Sequence, residues 1–290
     1  MGNVEKIQSL PLWTDTVNPQ PLKGGLSNES FTVEDGGKKY VVRFGEDFVV
    51  HHVSRENEIM VSKAAAAAGF APQVVHTQPG VMVVEFIEGR TYGGEDVCAN
   101  IAGIAGLAKR FHTEMPRHVS GAARLFHVFH VIRDYARTLK AGNSRMVSAL
   151  ADYLKLSEEL EAVQPPLPII FAHNDLLPAN FIDDGEKIWL IDFEYASYST
   201  PMFDLAGIAS NALMTPAQDR ELLEIYFESK PDDALLRAHA AMKCASLLRE
   251  AMWSMVSELH LDAPGVDYVA YTDENLGHLE TVLETYRGQY

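Results

Sequence analysis

"FAHNDLLPANFIDDGEKIWLIDFEYA", residues 171–196, is the stretch on which the fold turns. An apolar run stops at His173. Asn174, Asp175, Pro178 and Asn180 follow, then a second strand-like run, then Asp192 and Glu194. Carboxylates and carboxamides at the ends of apolar strands are costly to bury without a partner, a metal or a chemical task. Asp192 follows Asn180 by twelve residues, the length of a tight strand pair made of "NFIDD" and "KIWLID". Pairing returns Asn180 and Asp192 to the same end, where an amide oxygen and a carboxylate make a hard-oxygen pocket suited to Mg²⁺. Asp175, five residues before Asn180, points at the same place.

A base, an Asn on one metal and an Asp bridging metal and phosphates is the division of labour in kinase phosphoryl transfer. Asp175 fits the base, Asn180 and Asp192 the metal, and Glu194 adds a further carboxylate. Each residue taken singly has a plainer reading: Asx turns beside a proline, or a strand-end cap. The joint spacing is what favours chemistry.

Composition bounds the rest. The chain has 290 residues, 47% of them hydrophobic and 22% charged, as in an ordinary globular protein with room for two lobes. A net charge of −16 argues against a nucleic-acid partner and suits a small cationic one. Cys98 and Cys244 make neither a disulfide framework nor a metal set, and the N-terminus has no signal-peptide pattern. With no apolar stretch near a membrane span, the expectation is a cytoplasmic protein without a membrane partner. The oligomeric state is left open.

The first 90 residues look strand-rich. "SFTVED" and "YVVRFG" flank a Gly-Gly turn and read as a hairpin. "VSRENEIMVSKAAAAAG" reads as a helix with Ser54 as N-cap and Gly69 as its stop. "PQVVHTQPGVMVVEFIEG" reads as two strands around Pro79-Gly80. From about residue 95 apolar residues recur three and four apart, and the pattern is helical to the end except for the opening stretch. The expected architecture is α+β: a strand-rich lobe over 1–88, a mainly helical lobe over 89–290, and a cleft at the join, "EFIEG".

"HNDLLPAN" with "IDFEYA" resembles the choline/ethanolamine kinase family, within the aminoglycoside-phosphotransferase-like kinases of protein-kinase-like fold. The resemblance runs from about Leu22 to Tyr271, and the Glu-Tyr-Ala run after Asp192-Phe193 is its most specific part. It implies an ATP- and Mg²⁺-dependent kinase acting on the hydroxyl of choline, ethanolamine or a similar amino alcohol. It also implies a phosphate loop at Gly24, Gly25, Leu26, Ser27 and Asn28, and Arg43 on the phosphates. Glu58 would pair with Arg43, with Glu56 as the other candidate, and Glu85 and Ile87 would meet adenine. Tyr195, Trp253 and Tyr271 match the aromatics of the family's substrate pocket; as a structural residue, Trp253 would simply be core. Aminoglycoside or thiamine phosphorylation is the alternative on the same fold, and a non-catalytic nucleotide-binding scaffold is the alternative of another class.

Two positions depart from the family pattern. Asn211 stands where the family's animal members carry an acid, and Glu250 stands where a second Trp would precede Trp253 by three residues. The expectation is that a negative charge has moved from one helix to another; Glu250, three residues before Trp253, shares its helical face, and whether that face lines the cleft or packs into core or solvent is left open.

Overall fold

Gly36 and Gly37, at φ 57° and 76°, reverse the chain between two antiparallel strands, a conformation that costs glycine least. In the computed structural model, which describes residues 2–22, 29–261 and 265–290, helix α1 (Asn3–Gln8) and strand β1 (Gln20–Leu22) precede that hairpin. The hairpin itself is β2 (Glu29–Asp35) and β3 (Lys38–Phe44), and α2 (Arg55–Ala67), β4 (Val74–Gln78) and β5 (Val81–Glu85) follow. The strands form one antiparallel sheet in the order β1-β2-β3-β5-β4. Alternate residues Phe31 and Val33, Val42, and Val81 and Val83 face inward, as the twofold period of a strand requires. Ile7, Leu10 and Val17 cover that face and close the core.

Ser54 stands at the N-cap of α2 but makes no side-chain cap bond; Asp47 Oδ1 accepts the Arg55 N–H instead, at 2.7 Å. Gly69, at φ 79°, ends the helix.

The helical part begins with β6 (Arg90–Thr91), α3 (Gly94–Ala99) and α4 (Ile101–Glu114). Asn100, at φ −127° and ψ 43°, interrupts the periodic stretch, and its side-chain oxygen accepts the Gly103 N–H at 3.2 Å. Then come α5 (Val128–Ala141), α6 (Leu150–Glu161), β7 (Ile170–Ala172), β8 (Phe181–Asp183), β9 (Ile188–Leu190) and β10 (Ser197–Ser199). Helices α7 (Pro201–Asn211), α8 (Pro216–Phe227), α9 (Asp233–His260) and α10 (Tyr268–Gln289) complete the chain. Pro201 and Pro216 open α7 and α8, where a missing N–H costs nothing.

Two apolar cores run through the helical part, and both reach into the strand-rich part. Val61, Ala65 and Phe70 of the α2 region pack with Ile104 and Phe111 of α4, and Leu190 N–H donates to the Phe70 carbonyl at 2.8 Å. The β3–α2 connection crosses the other way. Val53 joins the core of α5, α7 and α9, and His51 meets Tyr135 Oη (3.1 Å) and Ser257 Oγ (3.0 Å). Among the described residues no helix is long and apolar enough to cross a membrane.

Candidate active site

β8 and β9 pair with Phe181 opposite Leu190, and the next rung is Ile191 N–H to the Asn180 carbonyl at 3.2 Å. Asn180 and Asp192 therefore sit at the same end of the hairpin. Asn180 Nδ2 donates to the Asp175 carbonyl (2.8 Å) and to Asp175 Oδ2 (3.3 Å), which brings Asp175 to the same end, near enough for the Asp192 charge to add to burial in raising its carboxyl. Asp192 and Asn174 lie at φ 67° and 60°, a region that Asn and Asp tolerate better than other side chains and where functional residues gather.

Asp204, in the first turn of α7, fixes this loop. Its Oδ2 accepts the His173 N–H (2.8 Å) and its Oδ1 the Asn174 N–H (2.7 Å). His112 Nε2 reaches Oδ2 at 2.8 Å, and Tyr226 Oη lies 2.7 Å from His112 Nδ1. Burial alone would raise the Asp204 carboxyl, but the His112 bond and charge hold it below the ordinary carboxylate value. His173 Nε2 donates to the Ile191 carbonyl (3.0 Å), and Asn174 Nδ2 donates to the Tyr195 carbonyl and to Ser197 Oγ (both 3.1 Å). Sequence reading did not single out Asp204 or His112; an acid in the first turn behind a proline was the available signal.

Opposite this loop, charges alternate. Arg43 Nη2 donates to Asp192 Oδ1 at 2.9 Å and its Nη1 lies 3.4 Å from Glu58 Oε1. Arg55 Nη1 reaches Glu58 Oε2 at 2.6 Å and Glu194 Oε2 at 3.2 Å. Glu58 is buried, whereas Glu56 is exposed. The series Asp192–Arg43–Glu58–Arg55–Glu194 thus carries three acids to two guanidiniums. Burial would raise the Asp192 carboxyl, but Arg43 outweighs it and holds it below the ordinary value. Burial and the Asp192 charge push the Glu194 carboxyl above its ordinary value. Burial raises Asp175 well above the carboxylate range, with Arg249 only partly opposing.

The remaining assignments fall as follows. Gly24, Gly25, Leu26, Ser27 and Asn28 lie outside the described residues. Glu85 ends β5, its N–H donating to the Gln73 carbonyl (2.9 Å), and Phe86 N–H donates to the Lys39 carbonyl (2.9 Å). Among the described residues no hydrogen bond engages the Ile87 N–H.

At the far end, Trp253 Nε1 donates to Tyr195 Oη at 3.0 Å, and the Trp253 and Tyr271 rings meet edge-on at 6.3 Å. Trp253 is both buried in the helical core and part of a cavity wall. Tyr271 Oη donates to Glu250 Oε1 (3.0 Å), and Arg249 Nη1 donates to Glu250 Oε2 (2.8 Å). Both Glu250 oxygens are therefore engaged and its charge is neutralised, which the expectation of a relocated negative charge did not foresee. Buried Arg249 also lies over the Tyr195 ring at 4.6 Å. Asn211 closes α7, half-buried, and no described hydrogen bond joins it to Glu250 or Trp253.

Comparison with known proteins places this geometry in a family. The chain is similar to a probable ethanolamine kinase of Arabidopsis thaliana, 26% identical over 288 residues, with 86% of this chain and 75% of that protein covered. It is 29% identical over 221 residues to ethanolamine kinase 2 of Rattus norvegicus, covering 71% of this chain but 57% of the rat protein. A solved choline/ethanolamine kinase family protein from Mesorhizobium loti superposes with a TM-score of 0.77 at 26% identity, over 97% of this chain and 93% of that one. Spectinomycin phosphotransferase, at 14% identity and a TM-score of 0.63 over 96% of this chain and 95% of that one, shares the fold alone. The choline/ethanolamine kinase model matches residues 20–219, more than half of the sequence, and the chain belongs to that family.

Proposed function

We propose that the protein transfers the γ-phosphoryl group of ATP to the hydroxyl of a small amino alcohol of the choline and ethanolamine class. The observation that carries this is the meeting of Asp175, Asn180 and Asp192 at one end of the β8–β9 hairpin, opposite Arg43. The sheet-bearing part, residues 1–88, is read as the nucleotide lobe and 89–290 as the catalytic and substrate lobe.

The donor set fits Mg²⁺. Among the described residues no three His, Cys, Asp or Glu side chains are arranged to hold a metal by themselves. Mg²⁺ sites in phosphoryl transfer commonly use one or two carboxylates and take the rest from phosphates and water. A buried carboxyl pushed above its ordinary value beside a second carboxylate is a further sign of a place short of one cation. Asp192 and Asn180 would hold the ion, with Glu194 beside them, and it would neutralise charge on the phosphates.

The chain's own residues do the rest. Arg43 exchanges Asp192 for phosphate oxygens, and Glu58 and Arg55 keep its guanidinium in place. The backbone of Glu85 and Ile87 is assigned to adenine, and the loop Gly24–Asn28 to the phosphates by sequence alone. Asp175, oriented by Asn180 and returned to its ionised form by the positive charge that Mg²⁺ and a cationic substrate would add beside it, would align the substrate hydroxyl and take its proton late, because positioning dominates a loose transition state. Asp204 holds the two N–H groups that set this loop.

ADP release measured over choline, ethanolamine, thiamine and an aminoglycoside panel, with Mg²⁺ and with EDTA, tests the reading. Turnover on an amino alcohol that EDTA abolishes is expected. Turnover confined to thiamine or aminoglycosides would overturn the substrate class, and ATP binding without ADP release on any alcohol would favour a scaffold.

A further inference from the structure

The β3–α2 connection, residues 45–54, has no part in the mechanism above, yet its rings are held in place by the helical part. His51 bonds to Tyr135 and Ser257 and stacks on Trp253, ring centroids 5.0 Å apart and 29° from parallel. Phe48 lies 4.8 Å from His51, centroid to centroid. Together with Tyr195 and Trp253 these rings line a cavity of about 180 Å³, with Glu194 and Asp47 in the same wall.

We propose that this connection supplies part of the acceptor-substrate seat: Phe48, beside the stacked His51–Trp253 pair and in one cavity with Tyr195, holds the ammonium end of the amino alcohol. The inference rests on the functional reading above and extends it to residues that no motif marks.

Three observations support it. Aromatic faces with carboxylates are the chemistry that recognises an ammonium group. The volume lies below that of pockets for drug-sized ligands, so it suits a small headgroup better than a multi-ring antibiotic. Glu194, in the wall, also adjoins Asp192, so an alcohol seated there lies beside the phosphoryl-transfer residues. Arg55 lines the cavity too, but its guanidinium is already engaged by Glu58 and Glu194. His51 presents a neutral ring, because burial, with lesser help from Arg249, lowers it to about 3.

Calorimetric titration of the full chain with choline and ethanolamine tests the seat, each against its neutral carbon isostere (neohexyl alcohol and propanol). Phe48 is only partly buried, so Phe48→Leu should keep the fold, which thermal unfolding checks. Phe48→Leu should weaken ammonium binding roughly 3- to 30-fold, the range of a cation–π contact. Phe48→Tyr should restore it, and KM for ATP should not move. Equal ammonium affinity in Phe48→Leu and wild type overturns the seat. So does a wild-type protein that binds the isosteres as tightly as the amines, or binds neither amine. ADP release separates the two ideas: ammonium binding without release sinks the kinase reading and leaves the seat standing, whereas release with unchanged binding in Phe48→Leu sinks only the seat.

Discussion

At the Arg43 end of the candidate site, five charged side chains alternate from Asp192 to Glu194. At the Trp253 end the contacts are mostly rings and hydroxyls, and the ion pair Arg249–Glu250 closes on itself. The difference is one of exchangeability. The contacts at the two carboxylate ends of the ionic series, Arg43–Asp192 and Arg55–Glu194, can be traded for a phosphate oxygen or a cation, because the replacement restores the charge balance that burial demands, while Glu58 keeps both guanidiniums in place. The aromatic end offers no such trade. Its rings are set by packing and by hydrogen bonds such as Trp253 to Tyr195, and only its cavity admits a ligand. The ionic end is therefore where rearrangement on loading is expected, and the aromatic end should stay fixed.

Substitutions at the two ends should separate accordingly. Asp175→Asn keeps the shape of the loop and removes the proton acceptor. It should cut kcat by a factor on the order of 10² to 10⁴ with KM for ATP nearly unchanged. Wild-type turnover in steady-state assays of that variant would remove Asp175 from the role. Asp192→Ala should abolish Mg²⁺-dependent nucleotide binding, read by calorimetry with ADP in the presence and absence of Mg²⁺. Asn180→Ala should weaken it less. Unaltered Mg-ADP affinity in Asp192→Ala would contradict the metal assignment.

Glu250 tests the closed pair. Glu250→Gln leaves Arg249, buried and with Nε and Nη2 already without hydrogen-bond partners, lacking its counter-charge. Breaking such a pair costs on the order of 3 kcal/mol of stability. Urea unfolding should show that loss, while KM for ATP stays as in wild type. A variant as stable as wild type, with KM raised only for the amine, would restore Glu250 as a substrate contact and blur the contrast between the two ends.

What could be read from the sequence follows the same division. The convergence of Asn180 and Asp192 was legible because it needs only one local hairpin, and local registers follow from spacing. The role of Arg43 came from the family resemblance, which puts an arginine in the third strand against the phosphates. Asp204 was not legible as a loop anchor. Its bonds span about thirty residues, and they depend on where α7 begins relative to β7. Glu250 was placed on the face of Trp253, but its neighbour Arg249 points about 100° away on an ideal helix and gave no sign of pairing. Only the length of the Arg side chain lets it fold back. His51 reads as a polar loop residue; its burial arises from the docking of the β3–α2 connection against α5 and α9, which no local pattern encodes.

His51 also supplies the smallest effect, and one that tests whether the aromatic end is neutral. In the unfolded chain its pKa is near 6.5, and in the folded protein burial takes it down to about 3. The folded state therefore binds fewer protons than the unfolded state between these values. The stability it contributes is present above pH 6.5 and is lost as pH falls through that window. By pH 5 the loss from this one residue is about 2 kcal/mol. His51→Phe keeps a ring against Trp253 and cannot titrate. It should lower stability at every pH, because Tyr135 and Ser257 lose their partner, yet its fall between pH 7 and pH 5 should be smaller than that of wild type by about that amount. Urea midpoints of both proteins at the two pH values give the difference directly, with the carboxylates and other histidines cancelling between them. Equal falls would mean that His51 takes up its proton as readily in the folded protein as in the unfolded chain, and at pH 5 its ring would then repel a cation instead of holding one.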